Sequence, residues 1–288
     1  MILSSALVIG CGFVGRPLLK AFSDNGWEAT GVTLSEDAAA RLRAAGLNVV
    51  AADIREHDFT SNLKAKSFSL VVHCASSGGG GSESYEALFS SGTRNLLAAL
   101  EIGHFLFVSS TSVYAQTDGS SVDEFSAAEP ERTTGKILRS TENIVLGRGG
   151  TVARLAGLYG PGRCVPLDRL LAGDAIIEGE GERTMNSIYR DDAVSGLLLL
   201  ARLKPDGIFN VVDNCPVSQL EWFRWVAQRT GKPMPPLGLR NFTRKRAWTN
   251  KMVSNAKLRG LGWEPAMPSF REGIERILGR RCDGGCDL

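Results

Sequence analysis

The chain has 288 residues, enough to bury a large core, and its formal net charge at pH 7 is +2. A charge so close to zero does not favour a nucleic-acid-binding or membrane-surface role. We recognise no signal peptide and no apolar run long enough to span a bilayer, so we expect a cytoplasmic protein. Six cysteines in a chain of this length do not indicate a disulfide scaffold.

The first chain feature is an apolar run, residues 6–9, that leads into Gly10-Cys11-Gly12-Phe13-Val14-Gly15. A G-x-G-x-x-G pattern between a strand and a helix is typical of dinucleotide binding, although glycines also mark ordinary turns. Gly10 permits a tight turn, Gly12 lets a pyrophosphate approach the backbone, and Gly15 lets the helix pack closely on the strand. The free N–H groups at the start of that helix then face the phosphates.

The second predicted strand, residues 27–35, ends in Thr33-Leu34-Ser35 without a carboxylate. In many NAD-binding sheets an acidic residue at this point binds the adenosine ribose. A carboxylate there would repel a 2′-phosphate, so its absence gives a slight preference for NADP over NAD. Ser35, with Arg16 or Arg41, is a candidate contact of that phosphate.

Further along the chain, short β-rich runs alternate with helical stretches, which predicts a doubly wound parallel sheet. Ligands then bind at the carboxyl ends of the strands, where the polar residues Asp53, Ser76, Ser109 and Ser110 fall. The predicted strands are 47–52, 68–75, 104–109, 151–155 and 208–212, and the predicted helices are 36–45, 85–100, 167–171, 191–201 and 219–230.

Several longer motifs follow one another in order: Asp53-Ile54, Val71–Ala75, Gly92–Ala99, Ser109–Ala115, Arg154–Gly162, Asn186–Asp192, Phe209–Asp213 and Leu261–Pro265. In these motifs the chain resembles extended and atypical members of the short-chain dehydrogenase/reductase superfamily, which include NAD(P)-dependent sugar epimerases and dehydratases. G-x-G-x-x-G, in place of the extended group's G-x-x-G-x-x-G, indicates an atypical subgroup. The resemblance implies cofactor contacts at Gly10, Gly12, Phe13, Val14, Gly15, Thr33, Ser35, Asp53, Ile54, Cys74, Ala75, Ser76 and Ser109.

The same resemblance implies an α/β fold, a Rossmann-like doubly wound parallel sheet with a smaller C-terminal substrate lobe. We expect the Rossmann domain over residues 1–157, with a strand at 207–213 returning to it, and the lobe over 158–280. Residues 281–288 are expected to form a flexible tail. The tail carries Cys282 and Cys286, for which a metal or redox pair is the alternative to a frayed terminus.

The catalytic residues of the family are a Ser/Thr and a Tyr-x-x-x-Lys pair, in which the tyrosine moves the hydroxyl proton and the lysine holds the ribose. Ser110 matches the serine. The register fixed by the flanking residues puts Thr134 at the tyrosine position and Leu138 at the lysine position. A shift of two residues recovers a lysine, Lys136, but no tyrosine. Phe89 stands where the family has an asparagine.

We therefore retain Ser110, Thr134 and Lys136 as catalytic candidates, with Tyr114 and Tyr189 as reserve proton donors. The expected substrate contacts are Tyr114, Tyr159, Arg163, Arg183 and Asn186. The basic stretch Arg240, Arg244, Lys245, Arg246 and Lys251 either meets a substrate phosphate or forms a solvated face.

Two functions stay open. The first is an NAD(P)-dependent oxidoreductase or epimerase/dehydratase-like enzyme that acts on a nucleotide sugar or a similar hydroxy/keto compound. The alternative is a non-catalytic NAD(P)-binding redox sensor or scaffold, which the missing Tyr-x-x-x-Lys pair favours. No metal site is expected, because the three histidines lack ligand spacing. A homodimer through the helices near 85–100 and 134–147 is left open.

Overall fold

The computed structural model describes residues 4–78, 80–242 and 248–282. Among these residues, the central sheet has seven parallel strands, which lie in the order β7-β6-β5-β4-β1-β2-β3. The expected α/β fold with a doubly wound parallel sheet is confirmed. The strands are β1 Ser5–Ile9, β2 Glu28–Thr33, β3 Val49–Ala51, β4 Leu70–His73, β5 Phe105–Ser110, β6 Thr151–Leu155 and β7 Gly207–Val211.

The helices are α1 Gly15–Asp24, α2 Glu36–Ala44, α3 Ser82–Tyr85, α4 Gly92–Ala99, α5 Thr133–Leu146, α6 Val165–Ala172, α7 Arg190–Leu203, α8 Gln219–Thr230, α9 Ala256–Arg259 and α10 Phe270–Cys282. The single helix predicted over 85–100 is wrong in detail, because a π-helical segment, Glu86–Ser91, joins α3 to α4. None of the described helices has both the length and the apolar character that a membrane span requires.

Both faces of the sheet are buried, which explains why its strands read as continuous apolar runs. Alternate residues of β1 point to opposite faces. Ala6 and Val8 lie in a core with helices α1 and α7, whereas Leu7 and Ile9 lie in a second core with helices α4 and α5. Leu7 and Val8 have no exposed surface.

The strand predicted to return to the sheet is β7, which pairs with β6 from Gly207–Thr151 to Val211–Leu155. Helix α7 packs on α1, in the layer that covers the sheet. One element of the predicted 158–280 lobe, helix α7, therefore belongs to the sheet layers. The lobe has its own core, which joins α6, α8 and α10 through side chains such as Leu167, Phe223 and Ile274.

Two predictions at the end of the chain and in the basic stretch fall partly or wholly outside the described residues. Helix α10 extends to Cys282, two residues into the predicted tail, and Cys286 lies beyond the described part. Arg244, Lys245 and Arg246 lie outside it as well.

Candidate active site

A cleft of about 580 Å³ lies at the carboxyl ends of β1 to β5, and the glycine-rich turn lines it. Gly10 has a φ of +94°, and a Cβ there would lie 2.3 Å from the Cα atom of Ala75. At Gly15 a Cβ would lie 1.9 Å from the carbonyl oxygen of Gly10. A Cβ on Gly12 would meet no protein atom within 4 Å, so the backbone there faces open space.

The turn lies where the strand order reverses, between β1 and β4, which is the usual ligand position in such sheets. Helix α1 begins directly after it. Val14 supplies no side-chain cap to this helix, and its first turn holds no acidic residue. The helix N-terminus therefore suits an anion such as a diphosphate.

Two further cavities lie beside the cleft. The inner cavity has a volume of about 50 Å³ and lies between the start of α5 and the segment after β5. Tyr85 and Leu138 line both the inner cavity and the cleft. The outer cavity, of about 530 Å³, shares Arg132 and Trp248 with the inner one. The cleft and the inner cavity thus share wall residues, and so do the inner and outer cavities. The three spaces lie next to one another between the glycine-rich turn and the lobe.

A sequence model of the NAD dependent epimerase/dehydratase family matches residues 6–211. The match begins in β1, includes the glycine-rich turn and ends with β7. The chain belongs to this family. Membership in the NAD dependent epimerase/dehydratase family confirms the resemblance drawn from the sequence motifs.

Similar proteins support this membership. Protein YeeZ of Escherichia coli K12 is 28% identical over 213 residues, which cover 71% of this chain and 76% of YeeZ. A protein of Methylobacillus flagellatus with the same family description is 26% identical, with a TM-score of 0.80 over 97% of this chain and 99% of its own. UDP-glucuronic acid 4-epimerase of Bacillus cereus, solved with UDP-glucuronic acid and NAD, shares the fold at 19% identity, with a TM-score of 0.76 over 94% of this chain and 96% of its own.

Most of the predicted cofactor residues of this family member line the cleft: Gly10, Gly12, Phe13, Val14, Thr33, Asp53, Ile54, Cys74, Ala75, Ser76 and Ser109. Gly15 lies directly behind Gly10. Ser35 is not on the cleft wall. Its hydroxyl accepts a hydrogen bond from the Ala38 amide at 3.3 Å and so caps α2.

Asp53 is held by a residue that the sequence analysis did not single out, Arg55. The Arg55 amide and Nε donate to Asp53 Oδ1 at 3.0 Å and 2.8 Å. These contacts with Arg55 hold the pKa of the Asp53 carboxyl below its usual range. Arg55 itself lines the cleft, so a guanidinium lies close to the end of β3.

Ser110 lines the cleft at the end of β5, and its Oγ accepts a hydrogen bond from the Ser112 amide at 3.2 Å. The preceding residue, Ser109, is held by buried side chains. Ser109 Oγ donates to Glu142 Oε1 at 2.6 Å, and Arg154 donates to both Glu142 oxygens at 3.0 Å and 2.6 Å. Glu142 is fully buried and Arg154 is 1% exposed. This buried network fixes the end of β5 that carries Ser110.

Helix α5 presents Thr134 and Leu138 to the inner cavity. The two residues are four apart and share a helix face, as the preferred register of the family motif requires. Lys136 is exposed and borders a shallow depression with Arg139 and Asn143. The structure therefore does not bring Lys136 to the cleft, which favours the register with Thr134 and Leu138 over the shifted one.

The tyrosines expected at the site lie elsewhere. Tyr114 is fully buried, and its hydroxyl donates to Asn210 Oδ1 at 2.9 Å. Tyr159 and Tyr189 pack edge to face in the lobe core, with ring centroids 5.5 Å apart. Burial raises the pKa of all three phenols. The expected substrate role of Tyr114 and Tyr159 is not supported by this geometry, nor is the reserve role of Tyr189.

Among the other expected substrate contacts, Arg163 alone lines the cleft, where its guanidinium lies 5.2 Å from the centre of the Phe13 ring. Arg183 pairs with the buried Glu178 at 3.7 Å. The Asn186 side chain donates to the Lys251 carbonyl at 2.9 Å and accepts from the Val253 amide at 2.8 Å. Arg183 and Asn186 thus contact other protein groups and do not line the cleft.

Three residues that line the cavities were missed by sequence reasoning: Tyr85, Arg132 and Trp248. Trp248 is 9% exposed, and its indole N–H finds no acceptor among the described residues. The Arg240 guanidinium lies 4.9 Å from the centre of the Trp248 ring. No motif marked these positions. The described residues also contain no cluster of three or more His, Cys, Asp or Glu side chains suited to a metal ion.

Proposed function

We propose that the protein is an NAD(P)-dependent oxidoreductase or epimerase/dehydratase-like enzyme that acts at a hydroxyl- or carbonyl-bearing carbon. The observation that carries this proposal is that the cleft, which Ser110 lines, and the inner cavity share the wall residues Tyr85 and Leu138. A dinucleotide along the cleft would have its reactive end at this junction, and the outer cavity of about 530 Å³, beyond the small inner one, offers room for a substrate.

The glycine-rich turn fits a dinucleotide because the backbone at Gly12 faces open space and α1 starts without an acidic cap. Gly12, Phe13 and Val14 would hold the diphosphate, and Asp53 and Ile54 would meet the adenosine end. A bound nicotinamide supplies a site that gives or takes a hydride. The role of Ser110 is to donate a hydrogen bond to the substrate oxygen, held in place through the Ser109–Glu142–Arg154 network.

For the form of the cofactor, we propose NADP in preference to NAD. β2 ends at Thr33 without a carboxylate that would repel a 2′-phosphate, and Arg55 adds a guanidinium to the cleft wall. Arg55→Ala should weaken NADPH binding at least tenfold in a fluorescence titration and weaken NADH binding much less, by the effect of releasing Asp53 alone. Equal losses for both forms would contradict the preference.

For the substrate, we propose a nucleotide sugar or a similar hydroxy/keto compound that occupies the inner and outer cavities. Trp248 offers an indole donor there, and Arg132 and Arg240 line the outer cavity. The UDP-glucuronic acid bound to the Bacillus cereus epimerase supports this class of ligand. Thr134 and Leu138 on α5 favour the alternative, a non-catalytic NAD(P)-binding sensor or scaffold, because neither can act as the family tyrosine or lysine.

The first experiment is a fluorescence titration of nucleotide-free protein with NADPH and NADH. Gly12→Ala should fold normally and lose at least tenfold in affinity, because its Cβ would enter the space that the diphosphate needs. Gly279→Ala is the matched control, since a Cβ there also meets no atom within 4 Å but lies on α10, away from the cleft. Equal affinity of the two variants would refute the assignment of the cleft.

Turnover then separates the two functions. Wild-type protein is incubated with each cofactor form and a panel of nucleotide sugars that begins with UDP-glucose and UDP-glucuronic acid, and the products are followed by chromatography and nicotinamide absorbance. Conversion that Ser110→Ala lowers by about 10² or more supports the enzyme. Tight cofactor binding without any conversion supports the sensor or scaffold.

A further inference from the structure

We propose that Tyr85 transfers the substrate's hydroxyl proton and so replaces the tyrosine that α5 lacks. This assignment rests on the proposed function. The phenol comes from α3, which packs on α5, the helix that carries Thr134 at the family position. Tyr85 lines both the cleft and the inner cavity, so it borders the place where cofactor and substrate would meet.

The other phenols of the chain do not compete for this role. The sequence has four tyrosines, and the remaining three are Tyr114, Tyr159 and Tyr189. Tyr114 is committed to Asn210 beneath the sheet end, and the other two lie in the lobe core. Tyr85 is therefore the one tyrosine that lines the junction.

Other proton-transfer groups are also poorly placed. His73 is fully buried and its Nε2 lies 3.2 Å from the Leu88 carbonyl oxygen, and burial lowers its pKa to about 4. Burial raises the pKa of the Cys74 thiol, which keeps it protonated. Lys136 is exposed on the outer face of α5. The remaining competitor is Glu131, an exposed carboxylate that lines both the inner and the outer cavity.

The local fold explains how Tyr85 reaches the junction. α3 follows the glycine run 78–81, and the Tyr85 amide donates to the Gly81 carbonyl at 3.1 Å. The π-helical segment Glu86–Ser91 then inserts extra backbone into the helix. One extra residue turns the preceding side chains by about 100° relative to those that follow. The Tyr85 side chain therefore does not follow the helical register of α4.

Packing holds the phenol ring in place. Tyr85 is 7% exposed, and its ring meets Phe89 edge to face with centroids 5.0 Å apart. Phe89 is the residue found where the family has an asparagine, and it lies against His73 at 5.8 Å between ring centroids. The substitution that removes the asparagine therefore supplies the apolar support for Tyr85. A fixed ring is what a proton-transfer group needs, because its hydroxyl must stay in reach of the substrate oxygen.

The proposed reaction couples the transfer of a hydride to the transfer of a proton. In the oxidation direction the substrate C–H bond breaks, and its hydride moves to the oxidised nicotinamide. The O–H bond of the hydroxyl on the same carbon would break and its electron pair would form the C=O bond, while its proton would pass to the Tyr85 oxygen as the phenol releases its own proton to water. In the reduction direction the Tyr85 phenol would return a proton to the carbonyl oxygen, and the new C–H bond would form with a hydride supplied by a bound reduced nicotinamide.

The experiment compares Tyr85→Phe, Glu131→Gln and Lys136→Ala with the wild type, using the nucleotide sugar that the panel identifies and direct cofactor titration. Tyr85→Phe removes only the hydroxyl and keeps the ring packed on Phe89. We expect kcat to fall about 10²–10⁴-fold while the Kd for the cofactor stays within twofold. Lys136→Ala should leave both quantities unchanged.

Two results would overturn the assignment. Full kcat in Tyr85→Phe shows that the phenol is not used, and a loss in Glu131→Gln alone shows that the carboxylate is used in its place. In either case the proposed function stands, because wild-type turnover has been observed. A wild type that turns over no member of the panel overturns the proposed function and this assignment with it.

Discussion

Glu142→Gln tests whether the buried network below the cleft is as costly to break as its geometry indicates. Glu142 accepts four hydrogen bonds: one from Ser109 at 2.6 Å, two from Arg154 at 3.0 Å and 2.6 Å, and a longer one from Arg139 at 3.4 Å. Arg154 is 1% exposed, and its Nη1 has no acceptor among the described residues. The glutamine keeps the shape of the side chain but leaves the guanidinium charge without its counterion.

Removing one partner of a buried ion pair costs about 3–5 kcal/mol, whereas an exposed pair is worth about 0–1 kcal/mol. We expect the higher range here, because water cannot reach Arg154 to replace the lost carboxylate. The free energy of unfolding is measured by urea titration of tryptophan fluorescence at pH 7. Arg154→Met and the double variant with Glu142→Leu are measured in the same way.

The double variant should be more stable than Glu142→Gln alone, since it removes the unpaired charge together with its partner. Ser109→Ala should cost about 1.5–3 kcal/mol, the value of a hydrogen bond to a charged group. A loss below about 1 kcal/mol in Glu142→Gln would show that the pair is effectively solvated, and would refute the buried-network reasoning.

Three further predictions follow from single positions. Gly15→Ala should yield insoluble or strongly destabilised protein, seen in thermal denaturation, because its Cβ would lie 1.9 Å from the Gly10 carbonyl oxygen. Burial raises the pKa of Asp213 from 3.8 to about 8. Between these two pH values the folded state binds one more proton than the unfolded state, so the free energy of unfolding should fall as the pH rises. Asp213→Asn should flatten that slope in melting curves, and an unchanged slope would contradict it. Burial lowers the pKa of Lys251 from 10.5 to about 8, so stability should rise between these pH values, and Lys251→Met should abolish the rise.

The half of the chain that carries the glycine-rich turn was predictable from local patterns. Buried strands, the glycine spacing of the turn and the polar strand ends are all encoded within a few residues of one another, and strand β1 with Gly10, Gly12 and Gly15 lies as expected. The register of α5 was also recoverable, because Thr134 and Leu138 share a helix face.

The residues around the inner cavity were harder to predict from the sequence. The position of Tyr85 depends on a π-helical segment, and no residue pattern of 86–91 marks it. Asn186 and Asn210 sit in family motifs, but their side chains join distant backbone segments, which a motif cannot distinguish from ligand contacts. Ser35 was predicted to meet a phosphate, and the structure shows that its hydroxyl caps α2, a role that the same residue type serves equally well.

Asn210 lies on β7, the last strand of the sheet to be synthesised, and its side chain binds distant parts of the chain. It accepts from Tyr114 at 2.9 Å and donates to the Ser254 carbonyl at 3.1 Å, and so ties three widely separated stretches of chain. During translation, β6 emerges as a bare sheet edge and stays so until β7 has left the ribosome. Over this interval the unpaired backbone groups of β6 can pair with another chain, so a chain stopped between β6 and β7 should aggregate more readily than the full-length protein.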